Sequence, residues 1–206
     1  MKKIFLLILL LSILISCGER VVKLDEIEEK IEVTKTSEDV IDRILYKKGE
    51  DKPFTGKIIK DFDEDNVSFE FYVKDGKREG AFIQYYQNGE ISAIEQFKNG
   101  LLNGESVYYY KNGNIREKGY YKNGAREGEY IIYYKNGNME EKIFYQRGSL
   151  RNGRRITYYE NGNIYSESFH DEQGVYHGEK KKYYENGKIK LIETYEHGNF
   201  VSRKEF

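Results

Sequence analysis

Apolar residues occupy this chain in two different patterns. At the N-terminus they form a block: Lys2 and Lys3 precede an unbroken run from Ile4 to Leu11, continued by Ser12-Ile13-Leu14-Ile15. From Gly56 onward they alternate with polar residues and recur at a fixed interval. Gly56, Gly80, Gly104, Gly128, Gly153 and Gly178 open successive units, 24, 24, 24, 25 and 25 residues apart. Five units share one interior: Tyr85-Tyr86, Tyr109-Tyr110, Tyr133-Tyr134, Tyr158-Tyr159 and Tyr183-Tyr184 follow the opening glycine at the same offset. Then come Asn88-Gly89, Asn112-Gly113, Asn136-Gly137, Asn161-Gly162 and Asn186-Gly187, each followed by an apolar residue: Ile91, Ile115, Met139, Ile164 or Ile189. A second glycine closes each unit, at Gly100, Gly124, Gly148, Gly174 and Gly198. A period in this range marks a repeat architecture.

Asn-Gly between aromatic or β-branched runs predicts a β-hairpin, because a type I′ turn needs positive φ at both central residues. On that geometry Tyr110 lies opposite Ile115 and Tyr109 opposite Arg116, and the two tyrosines of a pair face opposite sides of the sheet. The wider segment from Lys98 to Gly104 then links one hairpin to the next. The expected fold is all-β: an elongated, single-layer antiparallel sheet of tandem hairpins over residues 40–206, with units opening near 56, 80, 104, 128, 153 and 178. One hairpin alone is marginal, so each unit must draw stability from its neighbours. The unit at Gly56 departs from the pattern, with Asp61-Phe62 in place of the tyrosine pair and Glu64-Asp65 in place of Asn-Gly. Atypical terminal units commonly act as caps. Extra residues before Gly153 and before Gly174 enlarge two loops.

Ahead of the array, residues 17–39 are acidic and lack tyrosine. Leu24, Ile27 and Ile31 recur at helical spacing, which predicts either a short amphipathic helix or a solvated tether. Ile41 to Tyr46 reads as a strand running into a loop from Lys47 to Thr55 that carries the only proline, Pro53.

Composition agrees with a thin sheet. The chain has 20 Tyr, 11 Phe and 20 Gly but no Trp. Tyrosine suits a half-wet surface, since its ring packs while its hydroxyl stays hydrated. The N-terminal block is a separate object: a basic start and about a dozen apolar residues form a secretory signal, too short for a span that needs roughly 20. Its end, Leu14-Ile15-Ser16-Cys17, resembles the bacterial lipobox. That resemblance implies lipid attachment at Cys17, removal of residues 1–16, and a chain held at the exported face of a bacterial membrane. If the cell has an outer membrane, Gly18 after the cysteine tilts the location towards it or the cell surface. The alternative is an ordinary cleaved signal with an incidental cysteine. Cys17 is the only cysteine, so no disulfide competes for it. Two or three acyl chains would make a stable anchor.

Charge narrows the partners. Without Lys2 and Lys3 the 34 basic residues become 32 against 35 acidic, a formal net charge of −3. Nucleic-acid binding draws on a basic excess that this chain lacks, and polybasic attraction to anionic lipid is equally unsupported. No catalytic, cofactor-binding or metal-binding set emerges. His170 with Asp171 and Glu172 is the nearest approach to a metal cluster, and a solvated loop is the better reading of it. Basic and aromatic residues interleave at Lys180 to Tyr184 and Arg154 to Tyr159, a pattern that also protects sheets from edge-to-edge association. Tyr85, Tyr109, Tyr133, Tyr158 and Tyr183 are the candidate binding surface, suited to a protein partner and compatible with glycan.

The unit Gly-x-x-x-x-Tyr-Tyr-x-Asn-Gly-x-Ile, followed by Tyr-Lys-Asn-Gly at Tyr121 to Gly124, resembles the bacterial variant of the MORN repeat. Pro53-Phe54-Thr55-Gly56 and Asp75-Gly76-Lys77-Arg78-Glu79-Gly80 are similar to it as well. The resemblance covers roughly residues 40 to 200 and implies a sheet built hairpin by hairpin. Many such proteins carry the label of antitoxin in a toxin–antitoxin system (the YwqK type), while others are lipoproteins or envelope proteins. Residues and resemblance together predict a membrane-anchored, non-catalytic binding or scaffolding protein, with an antitoxin or immunity-type protein as the alternative.

Overall fold

A computed structural model of the chain describes residues 20–34, 40–62, 68–150 and 153–206. The signal segment, Cys17 and the Glu64-Asp65 pair lie outside the described residues. The strands are β1 (Val21–Lys23), β2 (Ile27–Thr34), β3 (Val40–Lys47), β4 (Gly56–Lys60), β5 (Ser68–Lys74) and β6 (Lys77–Tyr85). Then follow β7 (Ile91–Lys98), β8 (Leu101–Leu102), β9 (Gly104–Tyr109), β10 (Ile115–Lys122), β11 (Ala125–Tyr133) and β12 (Met139–Tyr145). The last are β13 (Arg154–Tyr158), β14 (Ile164–Phe169), β15 (Gly178–Tyr183), β16 (Ile189–Glu196) and β17 (Asn199–Glu205). Fifteen of them form one open sheet, and β2 pairs with β3 as a separate hairpin. From β4 to β17 the pairing is antiparallel and follows chain order, as the repeat predicts, except that the two-residue β8 pairs only with β7, which continues to β9.

Of the segment expected to be a tether or helix, the described residues 20–34 are mostly extended instead. Val21 to Lys23 pairs in parallel with β4, Val22 opposite Ile58, and only a single 3-10 turn at Leu24–Glu26 interrupts the strands. Leu24 and Ile27 have a tertiary surface to cover, because both pack against a core of Val22, Phe54, Ile58, Phe71 and Val73. An isolated helix of this length has no such support. The long connection between β1 and β4 permits the parallel pairing.

Two kinds of turn alternate along the sheet, and they exchange the roles the sequence assigned. Asn99-Gly100 and Asn123-Gly124, read as part of wide linking loops, are the tight two-residue hairpin turns: φ is 51° and 81° in one, 51° and 82° in the other. Lys98 stands opposite Leu101, and Lys122 opposite Ala125. The Asn-Gly after each tyrosine pair belongs to a longer connection in which the glycine alone is left-handed, as at Gly113 with φ 82°. There the Gly113 N–H donates to the Tyr110 carbonyl at 2.9 Å, and the Tyr110 N–H to the Asn114 carbonyl at 2.8 Å. Asn112 serves by its side chain, its Oδ1 accepting from the Asn114 N–H at 3.1 Å. Such local acceptors are a second reason for asparagine in turns. The longer connection moves the register: Tyr109, not Tyr110, lies opposite Ile115, and a bulge makes Arg116 the extra residue before Glu117 pairs with Tyr108.

Cross-strand pairing sorts the side chains onto two faces. One carries every buried side chain described on the strands from β4 to β16: Ile58, Phe71, Val73, Ala93, Ser106, Tyr130, Ser168 and Leu191. Here it is called the inner face; the other is the open face. At the N-terminal end Phe54, Leu24, Ile27 and Leu45 cover the inner face, and Phe69, Phe71 and Phe82 stack with centroids 5.3–5.9 Å apart. Further along, small residues such as Ala93, Ser106 and Gly119 let larger side chains lie flat across them. A Cβ on Gly119 would meet the Tyr130 ring at 2.3 Å.

Candidate functional site

The repeated Tyr-Tyr-x-Asn-Gly motif makes a hydrogen-bonded ladder between units. The second tyrosine of each pair donates its hydroxyl to the carbonyl of the first tyrosine of the next: Tyr86 to Tyr109, Tyr110 to Tyr133, Tyr134 to Tyr158 and Tyr159 to Tyr183, at 2.5–2.8 Å. Side-chain amides run beside it. Asn112 and Asn114 both reach the Lys135 carbonyl, and Asn136 and Asn138 both reach that of Glu160. These bonds satisfy main-chain carbonyls at the longer turns and fix the spacing of successive units.

The candidate binding residues Tyr85, Tyr109, Tyr133, Tyr158 and Tyr183 sit half-buried on the open face, opposite Ile91, Ile115, Met139, Ile164 and Ile189. Burial, reinforced by the neighbouring Glu70, pushes the Tyr85 hydroxyl up to about 12. Burial and the Glu167 carboxylate do the same for Tyr183, also to about 12, and its hydroxyl donates to Glu167 Oε1 at 2.6 Å. The tyrosine row is therefore a packed strip along one margin of the open face, with its carbonyls and some of its hydroxyls already engaged.

A second row on that face is much more exposed. Tyr120, Phe144 and Phe169 occupy equivalent positions on β10, β12 and β14, with 49%, 47% and 45% of their surface accessible, and Tyr72 on β5 continues the row at 38%. One strand lies between Tyr120 and Phe144 and between Phe144 and Phe169, which separates them by roughly 10 Å, while Tyr72 stands apart, with three strands between it and Tyr120. Their cross-strand partners are charged: Glu105 opposite Tyr120, Glu129 opposite Phe144 and Arg154 opposite Phe169. A shallow depression of about 400 Å³ beside Tyr120 is lined by Glu105, Lys118, Glu129 and Ile131. Sequence reasoning missed this row. Its signal was available, an aromatic seven residues after the turn glycine in three units, but the adjacent tyrosine pairs masked it.

The inner face changes character along the array. Near the middle, Tyr108 donates to Glu95 and Tyr130 to Glu117 across the strands, and burial raises both hydroxyls' pKa. Over β13 to β15 the equivalent positions are Arg155, Thr157, Ser166, Ser168, Lys180 and Lys182, which line a polar groove of about 380 Å³. The basic runs that interleave with aromatics are divided between faces and mostly matched by acids. Arg155 bonds Glu141, Arg154 reaches Glu167 at 2.5 Å, and Lys181 reaches Glu179 at 2.9 Å.

The histidines fall differently from the linear reading. His170 stacks on Tyr176 at 4.8 Å, where burial lowers its pKa. Asp171 turns away from it to His197, with Oδ2 and Nδ1 2.8 Å apart, and His177 lies beside His197 at a centroid distance of 4.8 Å.

No curated protein matches the chain. Its sequence does match the MORN repeat variant five times, at residues 78–99, 102–123, 126–147, 151–172 and 176–197. Each match begins just after a tight hairpin turn, or at the corresponding point of the enlarged loops, and has the tyrosine pair and longer turn near its centre. Since these matches cover more than half of the chain, the protein belongs to the family of MORN repeat variant proteins.

Proposed function

We propose that this repeat protein is a non-catalytic binding and scaffolding module of the bacterial cell envelope, held to a membrane by lipid on Cys17, whose open face engages a protein partner. The observation that carries the reading is the exposed row of Tyr120, Phe144 and Phe169. Aromatics repeated at one register position, half accessible and rimmed by charge, have the composition of an interface centre surrounded by a polar rim. Large aromatics left exposed in a regular row, set among charged neighbours, suit an interaction site. The sheet supplies rigidity, since the tyrosine ladder holds the row at fixed spacing. The lipid anchor, expected from the lipobox-like ending at Cys17, would set that surface close to the membrane.

The test compares wild-type protein with a Tyr120→Ser, Phe144→Ser, Phe169→Ser variant in crosslinking capture from native envelopes, with circular dichroism to verify equal folding. The expected result is a partner captured by wild type and reduced at least about tenfold in the variant, as loss of hot-spot residues requires. Equal capture by both sinks the open-face reading. One dominant, co-produced protein bound one to one would favour the immunity-type alternative over general scaffolding. Labelled fatty acid should enter the wild-type chain and not Cys17→Ser; incorporation in both removes the anchor.

A further inference from the structure

The turns at one side of the array obey a simple rule. The residue before a unit-opening glycine supports the tight hairpin turn twenty residues later. Glu79 accepts from the Asn99 N–H at 2.8 Å, Glu127 accepts from the Arg147 N–H at 2.7 Å, and the Asn103 amide meets the Asn123 side chain at 3.0 Å. In the last unit both positions are histidine: His177 stands where the others have Thr, Glu or Asn, and the His197 N–H points at its Nδ1 at 3.5 Å. The two rings lie 4.8 Å apart, inclined at 40°.

The third member comes from a loop that the regular repeat lacks. The extra length before Gly174 folds into a turn of the longer kind, in which the Gly174 N–H donates to the Asp171 carbonyl and the Asp171 N–H to the Val175 carbonyl, both at 2.9 Å. Asp171 Oδ1 is held by the backbone N–H groups of Gln173 at 3.0 Å and Val175 at 3.2 Å. Its Oδ2 is thereby aimed at His197. The Asp171 side chain is only 9% exposed and fixed from behind, while that of His197 is 65% exposed and open to solvent.

We propose that Asp171, His177 and His197 form a site for a divalent transition-metal ion of the zinc class. One carboxylate oxygen and two imidazole nitrogens lie within 4.8 Å of one another. Zinc takes such donors at about 2.0–2.2 Å, which in tetrahedral geometry puts ligand atoms about 3.3 Å apart. Closing the cluster needs a shift of at most about 1.5 Å, within reach of rotation of the exposed imidazoles. The backbone bonds to Asp171 Oδ1 supply the outer support that orients a ligating carboxylate. Three protein ligands leave a fourth position for water or for a side chain of a partner. A plain Asp171–His197 ion pair, with His177 supporting the turn as Glu79 and Glu127 do, would bind no ion, and titration separates the two readings.

Calorimetric titration of the untagged full-length protein with Zn2+ at neutral pH tests the site, with Co2+ absorption reporting coordination. Saturable one-to-one binding is expected, weakened at least about tenfold in Asp171→Asn, His177→Asn and His197→Asn, the range seen when metal-site support is removed. The two histidine variants restore a residue that Asn103 and Asn123 show the repeat accommodates, so folding is retained; a thermal melt without metal verifies it. His170→Asn, outside the cluster, should bind as wild type does. Absence of saturable binding, or equal binding by the His177→Asn, His197→Asn double variant, overturns the proposal.

Discussion

The two ends of the sheet hold together by different means. Up to β6 the protein has an ordinary hydrophobic core: of the ten buried hydrophobic residues among the described residues, seven are there, Val22, Ile44, Tyr46, Phe54, Ile58, Phe71 and Val73. From β7 to β17 the buried hydrophobic residues among the described residues are Ala93, Tyr130 and Leu191 alone. The difference follows from layering. The N-terminal strands are covered by Leu24, Ile27, Leu45 and Phe54, so phenylalanine and branched aliphatics can be dehydrated completely. The later strands have water near both faces, and apolar burial there is always partial. They compensate with bonds that tolerate water: tyrosine hydroxyl to carbonyl, asparagine amide to carbonyl, and carboxylate to tyrosine across the inner face. A cap with a dry core and an array with a polar ladder are two answers to the same problem of stabilising hairpins that cannot stand alone.

Substitutions can separate the two. Phe54→Ala should have the largest effect, about 3–5 kcal/mol, because a ring with no exposed surface leaves a cavity in the cap. Urea denaturation followed at the cap and in the array should show the cap melting first. A loss below about 1 kcal/mol would mean that the cap is not the dry core described. Gly119→Ala tests the array by crowding, since the new methyl must displace the Tyr130 ring. About 1–3 kcal/mol is expected, and a smaller side chain at Tyr130 should recover part of it. The gentlest probe is Tyr110→Phe, which deletes one rung to Tyr133 and should cost about 0.5–1.5 kcal/mol. Its control is Tyr184→Phe. Tyr184 is 42% exposed and makes no corresponding rung among the described residues, so no measurable change is expected. Equal effects of the two would remove the ladder as the source of array stability.

Much of this architecture is legible in linear order. The glycine spacing, the alternation and the tyrosine pairs predict antiparallel hairpins, and β4 to β17 follow them in sequence. Turn identity was harder to read, because asparagine before glycine serves two geometries. At Asn99 it supplies the left-handed backbone; at Asn112 it supplies a side-chain acceptor while glycine alone turns left. Residues 20–34 were also ambiguous. Leu24 and Ile27 fit a helical spacing, but most of the core they meet, Phe54, Ile58, Phe71 and Val73, is made by residues 27 to 49 positions away. The candidate tyrosines were found by their regularity, yet regularity does not distinguish a packed strip from an exposed one. Tyr109 and Tyr120 share a face, and only the surroundings leave Tyr120 open.

The sequence alone determined what repeats: the strand lengths, the order of pairing and the family to which the units belong. These are local and periodic properties, set by glycine, asparagine and the alternation of side chains over a few residues. The tertiary structure decided what converges. It brought Phe54 onto Ile58, carried Tyr86, Tyr110, Tyr134 and Tyr159 each to a carbonyl one unit away, and gathered Asp171, His177 and His197 from separate turns. Those contacts depend on register and bulges, where a shift of one residue exchanges the faces of the sheet. No reading along the chain contains that information until the strands are paired.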